Sequence, residues 1–281
     1  MKLFVTGGNG QLGKALQGIF PESTYTDVDE LDITDVKAVK AVNWNEYDAV
    51  VNAAAFTAVD KAEEMVDLAW KVNVLGPALL ADASRRAEIP LVHVSSDYVY
   101  DGQTDNHLEN ELLKPLSVYG SSKAAGDIAT AQNTQHYIIR SSWVVGEGPN
   151  FVRTMLELGK TKDELTIVND QIGRLTFADE LALSIQHLLD KTPAFGTYHM
   201  SNTGESTHWA GVAREIFKFA KMNVQVKETT TAEFAQGKSP FAPRPHFSTL
   251  NLEKLTSTGF EPSDWKSALK KYIEKELGKD A

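Results

Sequence analysis

No cysteine occurs among the 281 residues. That excludes disulfides, thiolate metal sites and a cysteine nucleophile. Positive charge is scarce as well. Twenty-eight lysines and arginines stand against 38 aspartates and glutamates, for a formal net charge of −10. Such a balance offers no basic footprint for nucleic acid or an anionic membrane surface. No apolar run is long enough for a signal peptide or a membrane span. These absences set the expectation of a cytoplasmic protein with no nucleic-acid and no membrane partner. What is there reads as globular, with 42% hydrophobic and 23% charged residues. The length suffices for one large or two small domains. No internal repeat and no low-complexity linker interrupts it.

The chemistry centres on Tyr119-Gly120-Ser121-Ser122-Lys123. On a helix, positions i and i+4 lie on one face, one turn apart. A free tyrosine titrates near ~10 and is a poor base at neutral pH. A neighbouring ammonium favours the phenolate, so the spacing predicts a phenol with a lowered pKa, suited to proton transfer. Alone, such a pair is an ordinary solvated helix face; the upstream sequence supplies the context.

Leu3-Phe4-Val5-Thr6 reads as a short strand. Gly7, Gly10 and Gly13 follow it, and then a helical pattern through Leu16 and Ile19 that Pro21 ends. Glycines there permit a tight turn and the approach of a diphosphate, which meets the free N–H groups of the helix N-terminus. A glycine-rich turn between strand and helix predicts dinucleotide binding. The second strand, Thr24 to Thr26, ends at Asp27, 20 residues after Gly7. A carboxylate here accepts from the adenosine ribose hydroxyls and disfavours a 2′-phosphate, which tilts the balance toward NADH; the other reading is a capping or turn aspartate. Asp32 and Ile33 precede a helix over 35–42 and are placed to touch the adenine.

Ala49-Val50-Val51-Asn52 reads as a buried third strand. Ala53, Ala54 and Ala55 follow at its carboxyl end, small enough for a cofactor to lie close. A long helix is expected from about 62 to 88, with Leu68, Val72, Leu75, Leu79 and Leu80 on its apolar face and Asn73 turned inward. Residues 90–94 form the fourth strand, which runs into Ser95-Ser96-Asp97-Tyr98. Ser96, Tyr119 and Lys123 then present a hydroxyl, a phenol and an ammonium on the ligand side. His93 reads as a packed histidine and Asp101-Gly102 as a turn. Beyond these, 137–140 and 196–200 read as strands. Helices are expected after Asn150, over 177–189, from 207 to about 220, and over 265–277. Pro240 to Pro245 is a loop by composition. Trp143 reads equally as core or as site, and Arg244 as a surface charge or a diphosphate partner.

Gly7, Gly10, Gly13, Ser96, Tyr119 and Lys123 together resemble the extended branch of the short-chain dehydrogenase/reductase superfamily. The match tightens in the run from Asn52 to Glu63, in Ser96-Asp97-Tyr98-Val99-Tyr100-Asp101-Gly102, in Ser142-Trp143-Val144, in Asn169-Asp170-Gln171-Ile172-Gly173 and in Arg244-Pro245-His246. These are similar to the dTDP-4-dehydrorhamnose reductases over nearly the whole chain. The resemblance implies an α/β fold, a doubly wound parallel (Rossmann) sheet with a smaller interleaved substrate domain. The NAD(P)-binding part would span 1–146 and roughly 170–195. The nucleotide-sugar part would span roughly 147–169 and 196–281. It implies reduction of the C4 ketone of dTDP-4-dehydro-L-rhamnose with NADH or NADPH. Tyr119, Lys123 and Ser96 would be catalytic. Cofactor contacts would come from Gly7, Gly10, Gln11, Leu12, Gly13, Asp27, Asp32, Ile33, Ala53, Ala54, Ala55, Thr57, Tyr119 and Lys123. Substrate contacts would come from Val59, Ser96, Asp97, Tyr98, Tyr119, Trp143 and Arg244.

Two departures bear on this. Many members carry threonine where Ser96 stands, and both supply the hydroxyl. Some members dimerise through a metal held by glutamates, one of them on the first helix, where this chain has Ala15 beside Lys14. No metal and a monomer or weak homodimer are therefore expected. The rivals are a 4,6-dehydratase or 4-epimerase of the same fold and a non-catalytic regulatory relative. A dehydratase wants an Asp followed by Glu at this strand end; Tyr98 follows Asp97 here.

Overall fold

Leu3 and Val5 point to one side of the first strand and Phe4 to the other, and all three are buried. Alternation of this kind requires helices on both faces, and both faces are covered. The computed structural model describes residues 1–278. Its elements run β1 (Leu3–Thr6), α1 (Gln11–Ile19), β2 (Thr24–Thr26), α2 (Val36–Ala41), β3 (Ala49–Asn52), α3 (Val59–Ala62), α4 (Val66–Trp70), α5 (Gly76–Arg86) and β4 (Leu91–Ser96). They continue with α6 (Val118–Thr130), β5 (His136–Ser141), β6 (Val144–Val145), α7 (Phe151–Gly159), β7 (Glu164–Val168), β8 (Ile172–Gly173), β9 (Thr176–Phe177), α8 (Ala178–Lys191) and β10 (Gly196–Met200). Last come β11 (Thr207–His208), α9 (Trp209–Phe219), β12 (Gln225–Thr229), α10 (Thr231–Ala235), α11 (Glu253–Thr256) and α12 (Trp265–Gly278).

Six strands form one sheet in the order β10-β5-β4-β3-β1-β2, and every pairing is parallel. The order reverses between β1 and β3, and the crevice beyond their carboxyl ends is where a doubly wound sheet takes a ligand. Leu12, Leu16, Leu181, Ile185 and Leu188 from α1 and α8 cover one face. Val39, Leu80 and Ala81 from α2 and α5 cover the other. A second core joins α7, α9 and α12 through Met155, Val212, Ile216, Phe217, Trp265 and Leu269. The parallel pair β7 and β12, formed by residues with no strand expectation, runs beside it. The expected domain border at 195/196 falls just before β10, the edge strand of the main sheet.

The long helix expected over 62–88 is broken. Glu63–Met65 separate α3 from α4, and Lys71–Leu75 form a π turn before α5. Leu68 and Leu75, expected inside, are 40% and 38% exposed. The cause lies at Asn73, whose amide needs partners when buried. Its Oδ1 accepts from Phe56 N at 2.8 Å, and its Nδ2 donates to Phe56 O and to Ser122 Oγ. Serving both partners widens the turn, as at other π bulges, and swings the flanking leucines outward. Gly126 of α6 passes so close that a Cβ there would collide with the Asn73 carbonyl oxygen.

Candidate active site

The carboxyl ends of β1, β3 and β4 open into one cleft of about 920 Å³. Nineteen of the residues expected at the site line it, from Gly7 to Trp143. At its floor Gly7 turns with φ +73°, and a Cβ there would lie 2.7 Å from the Ala53 carbonyl carbon and the Ala54 nitrogen. A side chain is thus excluded and the loop lies flat on β3. Gly10 caps α1 without a side-chain hydrogen bond, and the first turn holds no acid. The helix dipole and its N–H groups are therefore free for an anion. Gln11, Leu12 and Gly13 line the cleft beside it. The Gln11 side chain is spoken for, since its Oε1 accepts from Gly146 N at 2.6 Å.

At the far end Asp27 lines the cleft. Its Oδ2 accepts from Asn9 N at 3.1 Å and its Oδ1 from Val28 N. Asp32 accepts twice from Thr34, and those bonds hold its carboxyl below the usual range. Ile33 is buried beside it and packs on Gly76. Ala53, Ala54, Ala55 and Thr57 form the wall between the two ends. Asn52 Oδ1 fixes the Ala54 N–H at 3.2 Å.

The proton-handling groups meet at the end of β4. Ser117 caps α6 by accepting from Gly120 N, and the helix carries Tyr119 and Lys123 inward, 8% and 1% exposed. The phenol does not have the lowered pKa expected of it. Burial pushes it up to about 12, and its interaction with the Ser96 hydroxyl opposes this only in part. Lys123 does not lower it, because its Nζ is turned to Val94 O at 2.7 Å. Burial pulls the lysine down to about 8. Ser96 Oγ donates to Asp97 Oδ1 at 3.0 Å and accepts from Tyr98 N. Burial raises the Asp97 carboxyl to about 6, while Ser248 and Ser96 pull the other way. Tyr98 packs edge-on against Tyr119, with ring centroids 5.4 Å apart.

Val59 and Trp143, expected at the substrate, line the cleft as well. Trp143 lines the cleft and also packs inward: it has φ +48° and stacks on Trp209 at 3.9 Å. The Trp209 indole N–H is fixed by Gln171 Oε1. Arg244 is the expected site residue that does not line the cleft. Its two terminal nitrogens grip both oxygens of Asp60, each at 2.8 Å, and its guanidinium lies over Phe241. The segment 240–246 is thereby clasped to α3. Asp60 drew no role from the sequence, since its partner lies 184 positions away. Asp127 and Arg140, buried behind Lys123 and joined at 2.9 Å, were missed in the same way.

The family profile described as "RmlD substrate binding domain" matches residues 1–277. The dTDP-4-dehydrorhamnose reductase of Aggregatibacter actinomycetemcomitans is 38% identical over 291 aligned positions, covering 96% of this chain and 97% of its own. The chain belongs to this reductase family. Among solved RmlD-family structures, the dTDP-4-dehydrorhamnose reductase of Clostridium acetobutylicum superposes with a TM-score of 0.93 at 40% identity, covering 99% of this chain and 100% of its own. The Bacillus anthracis enzyme, solved in complex with NADP, superposes at 0.91 with 36% identity, covering 98% of this chain and 100% of its own. Full-length likeness of this order extends the RmlD-family assignment to both cores. Among the described residues no helix is long and apolar enough to cross a membrane.

Proposed function

We propose that the chain reduces the C4 ketone of dTDP-4-dehydro-L-rhamnose to dTDP-L-rhamnose, the last step of dTDP-rhamnose synthesis. One observation carries the reading: the uncapped, glycine-lined N-terminus of α1 and the set Ser96, Tyr119 and Lys123 share one cleft. The Aggregatibacter actinomycetemcomitans and Clostridium acetobutylicum relatives are named for that reaction. The residues present fit a nicotinamide dinucleotide. The diphosphate belongs over Gly10 to Gly13, the adenosine ribose at Asp27 and the adenine between Asp32 and Ile33. The reduced nicotinamide, when bound, supplies the hydrogen and electron pair that the ketone carbon takes up.

The side chains do the rest. Ser96 holds the ketone oxygen by its hydroxyl. Tyr119 gives that oxygen its phenolic proton as charge develops there. A phenol near 12 keeps its proton until a stronger base forms beside it, and an alkoxide is such a base. Lys123 then steadies the phenolate and the nicotinamide ribose. Val59, Asp97, Tyr98 and Trp143 shape the sugar pocket. Arg244, held on Asp60, does not line this pocket. The Bacillus anthracis relative binds NADP, whereas Asp27 favours NADH, so both cofactors belong to the reading. So do a cytoplasmic site of action, a monomer or weak homodimer, and the two interleaved domains.

The test is loss of the reduced-nicotinamide absorbance on mixing the protein with dTDP-4-keto-L-rhamnose and NADH or NADPH in separate cuvettes. Rapid loss in either is expected. No loss in both, with the cofactor shown to bind, would refute the reading.

A further inference from the structure

Lys123 lies one helical turn before Asp127, and both are buried, at 1% and 2% exposure. Burial works against the lysine charge, and the influence that works for it is Asp127. The aspartate is tightly specified. Its Oδ2 accepts from Arg140 Nε at 2.9 Å. Its Oδ1 has no hydrogen-bond partner, and 3.9 Å away is His93 Nε2, also without one. The tautomer of His93 follows from its other neighbour. Asn52 Oδ1 accepts from Thr6 Oγ1 and from Ala54 N. The Asn52 amide NH₂ therefore faces His93 Nδ1, 3.0 Å away. Nδ1 accepts, so Nε2 carries the proton and directs it at Asp127. A buried polar line thus runs from Thr6, beside the glycine loop, through Asn52 and His93 to Asp127 and Arg140.

Charged and titratable groups from several elements surround this aspartate. Lys123 comes from α6, His93 from β4 and Arg140 from β5. Tyr100 and Tyr119 feel its charge from the segment after β4 and from α6. His93 stays neutral, because burial and the Lys123 charge hold it well below its usual value, and burial keeps both phenols protonated. One anion therefore stands between two cations. We propose that Asp127 is a positioning residue of the cofactor site: pinned by Arg140 and steered by the His93 Nε2 proton, its carboxylate holds Lys123 as an ammonium facing the cleft. This rests on the reading that the cleft binds a reduced nicotinamide cofactor. A purely structural Asp127, there to neutralise Arg140, would not set the protonation of the lysine.

The experiment follows binding of NADH by its fluorescence from about pH 6.5 to 9.5, in the whole protein and five variants. Wild-type affinity falls through an alkaline limb, and Lys123→Met binds weakly with no limb, which assigns the limb to Lys123. Asp127→Asn moves the limb down by about one pH unit, the reach of one nearby charge in a partly screened interior. Asp127→Glu restores it toward the wild-type position. Arg140→Gln removes the competing cation and moves the limb up. That opposite sign separates an electrostatic role from general damage, because loss of the buried pair is destabilising whichever partner is removed. If Asp127→Asn fails to fold, Arg140→Lys, which keeps both charges, leaves the limb near its wild-type position, and a limb lost there, as in Lys123→Met, overturns the proposal. A limb unmoved in Asp127→Asn, or moved the same way in Arg140→Gln, overturns the proposal. A wild type that turns over the ketosugar but binds NADH without a limb overturns it and leaves the reductase reading standing. A wild type that binds neither NADH nor NADPH overturns both.

Discussion

Tyr119 meets the cleft as a phenol that resists ionisation, because its ring is buried and Lys123 is turned toward Val94 O. That suits a donor that must release its proton late. Tyr119→Phe keeps the ring packing and removes the proton, so turnover of the ketosugar falls by about 10²–10⁴-fold, the usual worth of a placed acid, while NADH fluorescence titrations are unchanged. Activity near wild type would show that another group supplies the proton. Asp27 governs a different choice. Its oxygens already accept from the amides of Asn9 and Val28, so the carboxylate is fixed in the cleft, where the proposed reading brings the adenosine ribose. Asp27→Ser shifts the NADH-to-NADPH ratio of kcat/KM toward NADPH by roughly tenfold, about one charged hydrogen bond. An unaltered ratio would place the ribose elsewhere. The place of both in the cleft was legible in the sequence because the signals are local: Asp27 ends a strand at a fixed distance from a glycine loop, and Tyr119 stands one turn from Lys123. Arg244 was not, because its partner on α3 is far away in sequence, and only the folded chain shows the guanidinium spent on a carboxylate.

At the scale of elements the π turn at Lys71–Leu75 decides how α6 sits. The Asn73 side chain ties the loop after β3 to Ser122, one residue before Lys123, and the absent side chain of Gly126 lets the two helices close. Gly126→Ala puts a methyl against the Asn73 carbonyl oxygen. It lowers stability by about 1–3 kcal/mol, the usual cost of overpacking, read as a lower urea midpoint. An unshifted midpoint would mean that the two helices separate freely. Periodicity could not foresee the turn. Leu68, Val72, Leu75 and Leu79 keep a helical spacing, and the signal that breaks the register is one asparagine whose partners lie on the loop after β3 and on another helix. Most strands of the central sheet were legible for the opposite reason: β1, β3, β4 and β5 hold short apolar runs buried on both faces. The pair β7 and β12 hid because its residues alternate between exposed and half-buried, and its pairing spans about sixty positions.

For the whole molecule, the buried titratable groups set the response to acid, and their signs oppose. Burial holds His93 well below its usual value and His199 at about 3. A depressed pKa contributes stability above the unfolded value near 6.5, lost as pH falls. Asp97 is the reverse case. Its folded value of about 6 lies above the ordinary carboxyl value of 3.8, so its contribution is full at low pH and lost as pH rises through 6. Between about pH 4.5 and 6 the unfolded chain holds two histidine protons that the fold lacks, and the fold holds one Asp97 proton that the unfolded chain lacks. One net proton remains, so stability rises with pH by about 1.4 kcal/mol per unit. Carboxylates held low, such as Asp32 and Asp60, titrate mostly below this window. Asp97→Asn removes the opposing proton, and the slope doubles to about 2.7 kcal/mol per unit, measured as urea unfolding free energy at successive pH values. Above pH 6 the same variant is the more stable protein, because a buried charge is gone while an amide oxygen still accepts from the Ser96 hydroxyl. A slope unchanged by the substitution would place the Asp97 proton in solvent rather than in the cleft.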